Sequence, residues 1–200
     1  MIYQPSELET VIQAFKEDDV IVFPTDTVYG IGARITSATA VDKIFEIKQR
    51  PSEKSLIILC ANKSQLIDIV GPLTENVEKL VNNFLPGGLT LILEPKIPII
   101  DEITRGKKTI GVRIPNHEVA LELLKQVGPL ATTSANVSGE PSPVVVDEKN
   151  PVVQNVELVI DGGPTKERVP STILNCVNNE LNILREGSLT EAMIKSVLID

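Results

Sequence analysis

The chain has 200 residues, a formal net charge of −8 and an apolar fraction of 42%. A chain of this length can bury a sizeable core, and its acidic charge argues against broad, non-specific nucleic-acid binding. It contains no apolar run of membrane-spanning length and no signal segment, so we expect a cytoplasmic protein without a membrane partner. Both cysteines lie in apolar strand-like runs and should be reduced core residues, and no Cys/His cluster suggests a metal site.

Helices and strands alternate through the first half of the chain. Periodic apolar positions predict helices over 6–17, 37–48, 64–70 and 74–85. Short apolar runs predict strands over 20–23, 56–60 and 89–93. Ser6 and Glu9 are expected to form a capping box for the first helix. Residues 24–32 are predicted as a polar loop, and residues 95–108 show neither a helix nor a strand period.

The second half opens with an alternating strand over 109–114. Its apolar side chains should face one way, and Thr109, Gly111 and Arg113 the other. Gly111 would leave room for something to approach the backbone between the two polar side chains. An edge strand with one exposed arginine is the alternative.

The remaining elements complete an α/β pattern. A helix is expected from an Asn116 cap to Val127, with His117 at the surface. Residues 132–139 are predicted as a polar loop and residues 140–151 as a linker or lid. The last predicted elements are a strand over 156–160, hairpin strands over 171–176 and 181–184, and a helix over 190–198. This order predicts one α/β domain, residues 1–200, around a mixed, twisted sheet.

A pair of cations ends the second predicted helix, just before a strand. Pro51 biases Arg50 toward an extended backbone, so Lys48 and Arg50 can face the same way. A compact ammonium beside a planar guanidinium suits a phosphate or carboxylate ligand. The alternative is a solvated basic terminus that complements the helix dipole.

Hydroxyls and glycines follow two of the predicted strands. Thr25, Thr27 and Tyr29 share parity, so an extended backbone would point three hydroxyls to one side, although a tight turn fits equally well. Residues 132–139 offer the groups of an oxyanion nest or only a capped loop. No P-loop, dinucleotide fingerprint, nucleophile elbow or catalytic triad is present. The cations, hydroxyls and glycines at the predicted strand ends therefore predict an anion or nucleotide pocket that positions phosphates, with a metal ion carried by the nucleotide.

Seven short segments occur in one order along nearly the whole chain. They are PTDTVYG (24–30), KQRP (48–51), PGGLT (86–90), VRIP (112–115), TSANVSG (133–139), STI (171–173) and LREG (184–187). Each segment alone is weak, but together they resemble the YrdC-like domain of the threonylcarbamoyl-AMP synthases.

The resemblance implies a single α/β domain, with a twisted, largely parallel mixed sheet flanked by helices and a concave basic cavity. It implies a nucleotidyltransferase that condenses L-threonine, bicarbonate and ATP, with Mg²⁺ carried on ATP, into threonylcarbamoyl-AMP and pyrophosphate. A threonylcarbamoyl transferase complex would then modify the adenosine immediately 3′ of the anticodon in tRNAs that read ANN codons. Whether tRNA contacts the chain directly is left open.

The resemblance also carries over site positions. The catalytic signature would fall on Lys48, Arg50, Ser134 and Asn136. The L-threonine contacts would be Thr27, Arg113, Thr132 and Ser171, with Arg113 meeting the carboxylate. The ATP contacts would be Arg50, Lys54, Thr109, Ser134, Ser142 and Arg185.

The chain departs from the family pattern in three places. Many relatives carry a histidine near the end of the strand after the Lys-x-Arg motif, where this chain has Leu59 and Cys60. Lys54 stands where others have asparagine or another residue. Longer relatives add a second domain, which this chain is expected to lack.

Three alternatives stay open at the level of sequence. The first is an RNA- or ribosome-associated binding module, including one for double-stranded RNA, which the net charge of −8 disfavours. The second is a carbamoyl-adenylate enzyme, because a related domain occurs in carbamoyl-transferring maturation proteins that carry additional modules. The third is an inactive paralogue, which the intact signature disfavours.

Overall fold

A ten-stranded mixed sheet organises the computed structural model, which describes residues 1–198. The strands are β1 (Ile2–Tyr3), β2 (Ile21–Phe23), β3 (Gly30–Arg34), β4 (Ile57–Leu59), β5 (Leu89–Leu93), β6 (Ile110–Arg113), β7 (Leu130–Ser134), β8 (Leu158–Ile160), β9 (Thr172–Asn175) and β10 (Asn182–Arg185). Their spatial order is β1-β8-β2-β3-β7-β4-β6-β5-β9-β10. The last two residues of the predicted domain, 199–200, lie outside the described part.

The sheet is mixed, as predicted, but its parallel share is smaller than expected. Over residues 1–198, the β1–β8, β2–β8, β4–β6 and β5–β9 pairs are parallel. The other five neighbouring pairs are antiparallel. Strands close in sequence, such as β2 and β3, pair directly through short connections, which favour antiparallel pairing.

Eight α-helices accompany these strands within the described residues. They are α1 (Leu8–Ala14), α2 (Ala38–Lys48), α3 (Lys63–Val70), α4 (Glu75–Phe84), α5 (Asp101–Thr104), α6 (Glu118–Val127), α7 (Pro151–Gln154) and α8 (Glu191–Ser196). Among residues 1–198, none of these helices is long and apolar enough to cross a lipid bilayer. The Ser37 hydroxyl caps α2 by accepting from the Ala40 N–H at 3.0 Å, and α2 ends where Gln49 adopts a left-handed φ of 50°.

The two predicted N-terminal helix caps are wrong. A 3₁₀ turn at Pro5–Glu7 precedes α1, and the capping box joins Gln4 and Glu7 instead of Ser6 and Glu9. Proline favours the first position of a helical turn, because its missing N–H would have no partner there, and this moves the start of the turn forward. At α6, His117 occupies the N-cap position without a side-chain bond, so Asn116 is not the cap.

Two polar runs predicted as loops are partly strand. β3 and β7 pair antiparallel from Gly30 opposite Ser134 to Arg34 opposite Leu130. A Cβ added at Gly30 would lie 3.0 Å from Thr132 Cγ2, so the strands approach closely because this glycine has no side chain. The prediction of no regular structure in residues 95–108 is also wrong for the four residues of α5.

Apolar side chains cover both faces of the sheet with the period expected of strands. On one face, Ile21 and Phe23 pack against Val11 of α1 and Leu123 of α6. On the opposite face, Val22 belongs to the larger core cluster, which includes residues from the other helices. Helices α1 and α6 thus cover only part of their face.

The cysteine and hairpin predictions are confirmed. Cys60 and Cys176 are free and buried. Strands β9 and β10 pair antiparallel around the 3₁₀ turn at Val177–Asn179.

The predicted linker over 140–151 is anchored to the body of the protein, since the Pro143 carbonyl accepts from the Tyr29 N–H at 2.9 Å.

Candidate functional site

A cavity of about 360 Å³ opens on the sheet face that α1 and α6 partly cover. Its wall includes residues of β3 to β7, β9 and β10 and of the loops after β2 and α2. Eight of the twelve residues carried over from the family lie on this wall: Thr27, Arg50, Arg113, Thr132, Ser134, Ser142, Ser171 and Arg185. The fold therefore gathers most of the predicted site from segments spread along the chain.

The cavity is basic, although the protein as a whole is acidic. Its described lining residues include the four cations Arg50, Lys107, Arg113 and Arg185, and no aspartate or glutamate. Cations concentrated in a concave site raise the local concentration of anions. The predicted basic cavity is thus present.

Arg113 is fixed by three protein acceptors at one end of the cavity. Its Nε donates to the Gly87 carbonyl at 2.8 Å, and Nη1 donates to Thr27 Oγ1 at 2.9 Å. Nη2 donates to Asp26 Oδ1 at 2.5 Å, in an ion pair whose side chains are only 4–5% exposed. Burial lowers the pKa of Arg113 and Asp26 opposes that shift. Because each terminal nitrogen carries two N–H groups, one on each remains for a ligand.

Ser171 and Arg185 form a second group on the cavity wall. Arg185 Nη2 donates to the Ser171 carbonyl at 2.8 Å, and the Ser171 hydroxyl lies 2.8 Å from the hydroxyl of buried Thr90. These bonds orient the Ser171 side chain on the cavity wall. Arg185 also acts on the charge of Arg113, since its proximity lowers the Arg113 pKa.

Arg50 and Lys107 meet at Ser55. Arg50 Nη2 donates to the Ser55 carbonyl at 2.8 Å, and Lys107 Nζ donates to the Ser55 hydroxyl at 3.4 Å. Burial lowers the pKa of Arg50. Arg50 therefore lines the cavity, and its cationic neighbour there is Lys107.

Lys48 lies beneath the site. It is 1% exposed, and its ammonium donates to the backbone carbonyls of Ser134 and Asn136. Burial, with a smaller contribution from nearby Arg50, lowers the pKa of Lys48 to about 7. Lys48 thus holds the turn after β7 in place, while Arg50 faces the cavity, so the two cations of the motif do not face the same way.

The loop after β7 contains polar atoms without protein partners. The Asn136 amide group donates to the carbonyls of Val137 and Glu140, both at 2.9 Å, and its oxygen has no partner. The buried Ser138 hydroxyl also lacks one. Asn136 therefore acts first on the shape of its own loop, and it does not line the cavity.

Lys54 and Thr109 do not line the cavity either. Lys54 is exposed on the surface and contributes its backbone carbonyl, which accepts from Arg50 Nε at 3.3 Å. Thr109 precedes β6, and on that strand Gly111 and Arg113 line the cavity as the alternation predicts. A Cβ at Gly111 would lie 2.7 Å from Ile57 Cγ2, so glycine keeps this wall open.

The loop after β2 is a tight turn. Thr25 Oγ1 accepts from the Thr27 and Val28 N–H groups and donates to the Val28 carbonyl at 2.6 Å. The Tyr29 hydroxyl donates to the Gly163 carbonyl at 2.7 Å. The Thr25 and Thr27 hydroxyls therefore lie together, 3.1 Å apart, whereas the Tyr29 hydroxyl is bound to the turn after β8.

His117 is not a free surface residue as predicted. It is half-buried, and its Nδ1 is buried without a hydrogen-bond partner. Burial lowers the pKa of His117. A Cβ at Gly162 would lie 3.7 Å from the imidazole, which shows how closely the turn after β8 packs on it.

Sequence reasoning missed three residues that shape the site: Asp26, Thr90 and Lys107. Asp26 and Thr90 lie inside two of the recognised segments, so their motifs carried a signal that was not used. Lys107 lies in none of the seven segments, and no sequence pattern distinguishes it from Lys108.

Known proteins resemble this chain over most of its length. The Sua5/YciO/YrdC family, described as telomere recombination, matches residues 13–187. A protein of Bacillus subtilis named threonylcarbamoyl-AMP synthase is 41% identical over 186 residues, which are 92% of this chain and 54% of the relative. A Methanocaldococcus jannaschii protein, named putative threonylcarbamoyl-AMP synthase, is 37% identical over 93% of this chain and 91% of the relative.

A solved structure shares the fold closely. The crystal structure of Pyrococcus abyssi Sua5 complexed with L-threonine matches with a TM-score of 0.91 and 35% identity, over 99% of this chain and 61% of that one. The chain thus spans about half the length of the B. subtilis relative and three fifths of the P. abyssi structure. From the family match and these likenesses, the chain belongs to the Sua5/YciO/YrdC family.

Proposed function

We propose that this chain is an L-threonylcarbamoyl-adenylate synthase, a nucleotidyltransferase. L-Threonine, bicarbonate and ATP would give threonylcarbamoyl-AMP, pyrophosphate and water. The observation that carries the proposal is the cavity of about 360 Å³, with four cations and no carboxylate among its described lining residues. It is supported by the threonylcarbamoyl-AMP synthase names of relatives and by the L-threonine complex of P. abyssi Sua5.

The buried end of the cavity suits the carboxylate of L-threonine. Arg113 keeps one N–H on each terminal nitrogen, and guanidinium N–H groups bind carboxylates strongly. Asp26, Thr27 and Gly87 already hold the guanidinium in place, so binding would require little reorganisation. The Ser171 hydroxyl also lines the cavity and would contact the amino acid's polar groups.

Two other lining arginines suit the nucleotide. Arg50 and Arg185 lie on the wall, and Ser134 and Ser142 add hydroxyls for phosphate or ribose. Lys48 and Asn136 would act through the loop that carries Ser134. Mg²⁺ would enter as part of the Mg–ATP substrate, and Lys54 and Thr109 stay predicted nucleotide contacts that lie off the wall.

The reaction needs two bond-forming steps. The threonine amine would attack the carbon of bicarbonate, releasing water and leaving a carbamate. A carbamate oxygen would then attack the α-phosphorus of ATP, and the bond to pyrophosphate would break. Since the described lining residues include no carboxylate and no imidazole, catalysis would come from orientation and from stabilisation of phosphate charge.

The product would pass to a threonylcarbamoyl transferase complex in the cytoplasm, which would modify the adenosine 3′ of the anticodon. Direct contact with tRNA would be confined to the basic cavity and its rim, because the rest of the protein contributes to a net charge of −8.

Mass spectrometry of a reaction with the purified protein, Mg–ATP, bicarbonate and L-threonine tests the proposal. We expect threonylcarbamoyl-AMP, absent when L-threonine is omitted. Carbamoyl phosphate in place of threonine and bicarbonate provides the comparison for a carbamoyl-adenylate enzyme. Salt-sensitive tRNA binding without ATP turnover would refute the proposal in favour of an RNA-binding module.

A further inference from the structure

Lys107 is the lining cation with the longest and fewest hydrogen bonds to the protein among the described residues. Arg50, Arg113 and Arg185 each donate to at least one backbone carbonyl within 2.8 Å. Among the described residues, the Lys107 ammonium has one partner, the Ser55 hydroxyl at 3.4 Å. An ammonium has three N–H donors, so Lys107 can offer at least two to an incoming anion.

A specific turn brings Lys107 to the cavity. Arg105 and Gly106 have positive φ angles of 52° and 76°, and the Lys107 N–H donates to the Thr104 carbonyl at 3.2 Å. The Arg105 guanidinium lies 3.7 Å from the Phe45 ring centroid. The turn is therefore fixed to α2, and the direction in which the chain enters β6 is set by tertiary contacts.

Lys107 and Arg113 lie near opposite ends of β6. The three steps from Ile110 to Arg113 span about 10 Å at the usual strand rise. Lys107 therefore lies toward the end of the strand away from Arg113, the residue assigned to the threonine carboxylate. Its neighbour across Ser55 is Arg50, a predicted nucleotide contact.

We infer that Lys107 binds the β- and γ-phosphates of ATP and then the departing pyrophosphate. This inference rests on the proposed function, and it deepens it by assigning a contact outside the recognised segments. Lys107 is exposed at the rim, where a strongly hydrated ammonium suits a charged group that must leave into solvent. Lys107 lies on the cavity wall, whereas the side chain of Lys54, the other lysine considered for the nucleotide, lies off it.

Calorimetric titration with inorganic pyrophosphate, ATP and AMP tests the inference. Lys107→Ala should weaken pyrophosphate and ATP binding about tenfold and leave AMP binding nearly unchanged. Lys108→Ala is the matched control, because it removes the same charge from the adjacent exposed position, which does not line the cavity. Lys107→Arg, which keeps the charge, should recover part of the affinity.

Equal pyrophosphate affinities of the Lys107→Ala and Lys108→Ala variants would overturn the inference. Equal weakening of AMP and ATP in Lys107→Ala would also overturn it, because the contact would then be to the nucleoside monophosphate. Adenylate formation by the unmodified protein separates the two ideas. If the unmodified protein forms adenylate while Lys107→Ala binds pyrophosphate normally, the inference alone fails. If Lys107→Ala weakens pyrophosphate binding but the unmodified protein forms no adenylate, the proposed function alone fails.

Discussion

Asp26 should be required both for the stability of the protein and for the position of the Arg113 side chain. The two side chains form an ion pair at 2.5 Å, with exposures of only 4% and 5%. Replacing Asp26 with alanine would leave a buried guanidinium without its counter-charge. Breaking a buried ion pair from one side costs about 3–5 kcal/mol.

The lower end of that range applies here. After the Asp26→Ala substitution, Arg113 keeps the Gly87 carbonyl and the Thr27 hydroxyl as acceptors, and one side of it borders the cavity. We therefore expect a loss of about 3 kcal/mol in the free energy of unfolding. Asp26→Asn, which keeps an oxygen acceptor but not the charge, should lose less.

Urea denaturation and L-threonine titration measure the two effects. Asp26→Ala should weaken L-threonine binding more than ATP binding, because Asp26 positions Arg113 at the predicted carboxylate site. Glu78→Ala is the matched control, since it breaks the exposed Lys63–Glu78 pair, for which about 0–1 kcal/mol is expected.

A double-mutant cycle decides whether the pair itself is responsible. Combining Asp26→Ala with Arg113→Met should give a coupling energy above about 1 kcal/mol, since residues in direct contact are not additive. The reasoning is refuted if Asp26→Ala costs no more than Glu78→Ala, or if the two substitutions are additive.

Three further predictions concern Lys48, Gly187 and the two cysteines. Since burial lowers the pKa of Lys48 to about 7 and unfolded lysine titrates near 10.5, the unfolded state binds more protons between these pH values. The free energy of unfolding should therefore rise from pH 7 toward 10 relative to Lys48→Met, and a constant difference in urea denaturation would contradict this. Gly187→Ala should cost about 1–3 kcal/mol in the same measurement, because its Cβ would lie 2.1 Å from the Pro170 carbonyl oxygen; unchanged stability would show that the backbone relaxes freely. Burial raises the pKa of Cys60 and of Cys176 to about 12, so Ellman's reagent should label neither in the native protein and both in urea, and rapid native labelling would show that they are accessible.

Local sequence patterns correctly predicted the elements that several independent features of the sequence indicate. Helix α2 has a capping serine, a regular apolar stripe and a proline after its end, and it was predicted to within a residue. The alternation of Ile110 and Val112 with Gly111 and Arg113 also predicted which face of β6 lines the cavity. Such patterns are reliable because neighbouring residues impose them through backbone geometry.

The same reasoning did not predict the polar strands β3 and β7. Residues 30–32 and 132–134 are small or hydroxylated, which is typical of loops, yet they form adjacent strands. Their strand character comes from pairing between segments about 100 residues apart, where small side chains permit close approach. No window of local sequence contains that information.

The sequence by itself determined most of the helices, the alternation of β6 and, through seven ordered segments, the family and much of the cavity wall. Only the tertiary structure decided how the cations are used. Lys48 donates to two backbone carbonyls, and Arg113 pairs with Asp26. Lys107 is placed on the cavity wall by a turn that packs on α2. Long polar side chains have many rotamers, and the acceptor that each one finds depends on segments brought near it only by folding.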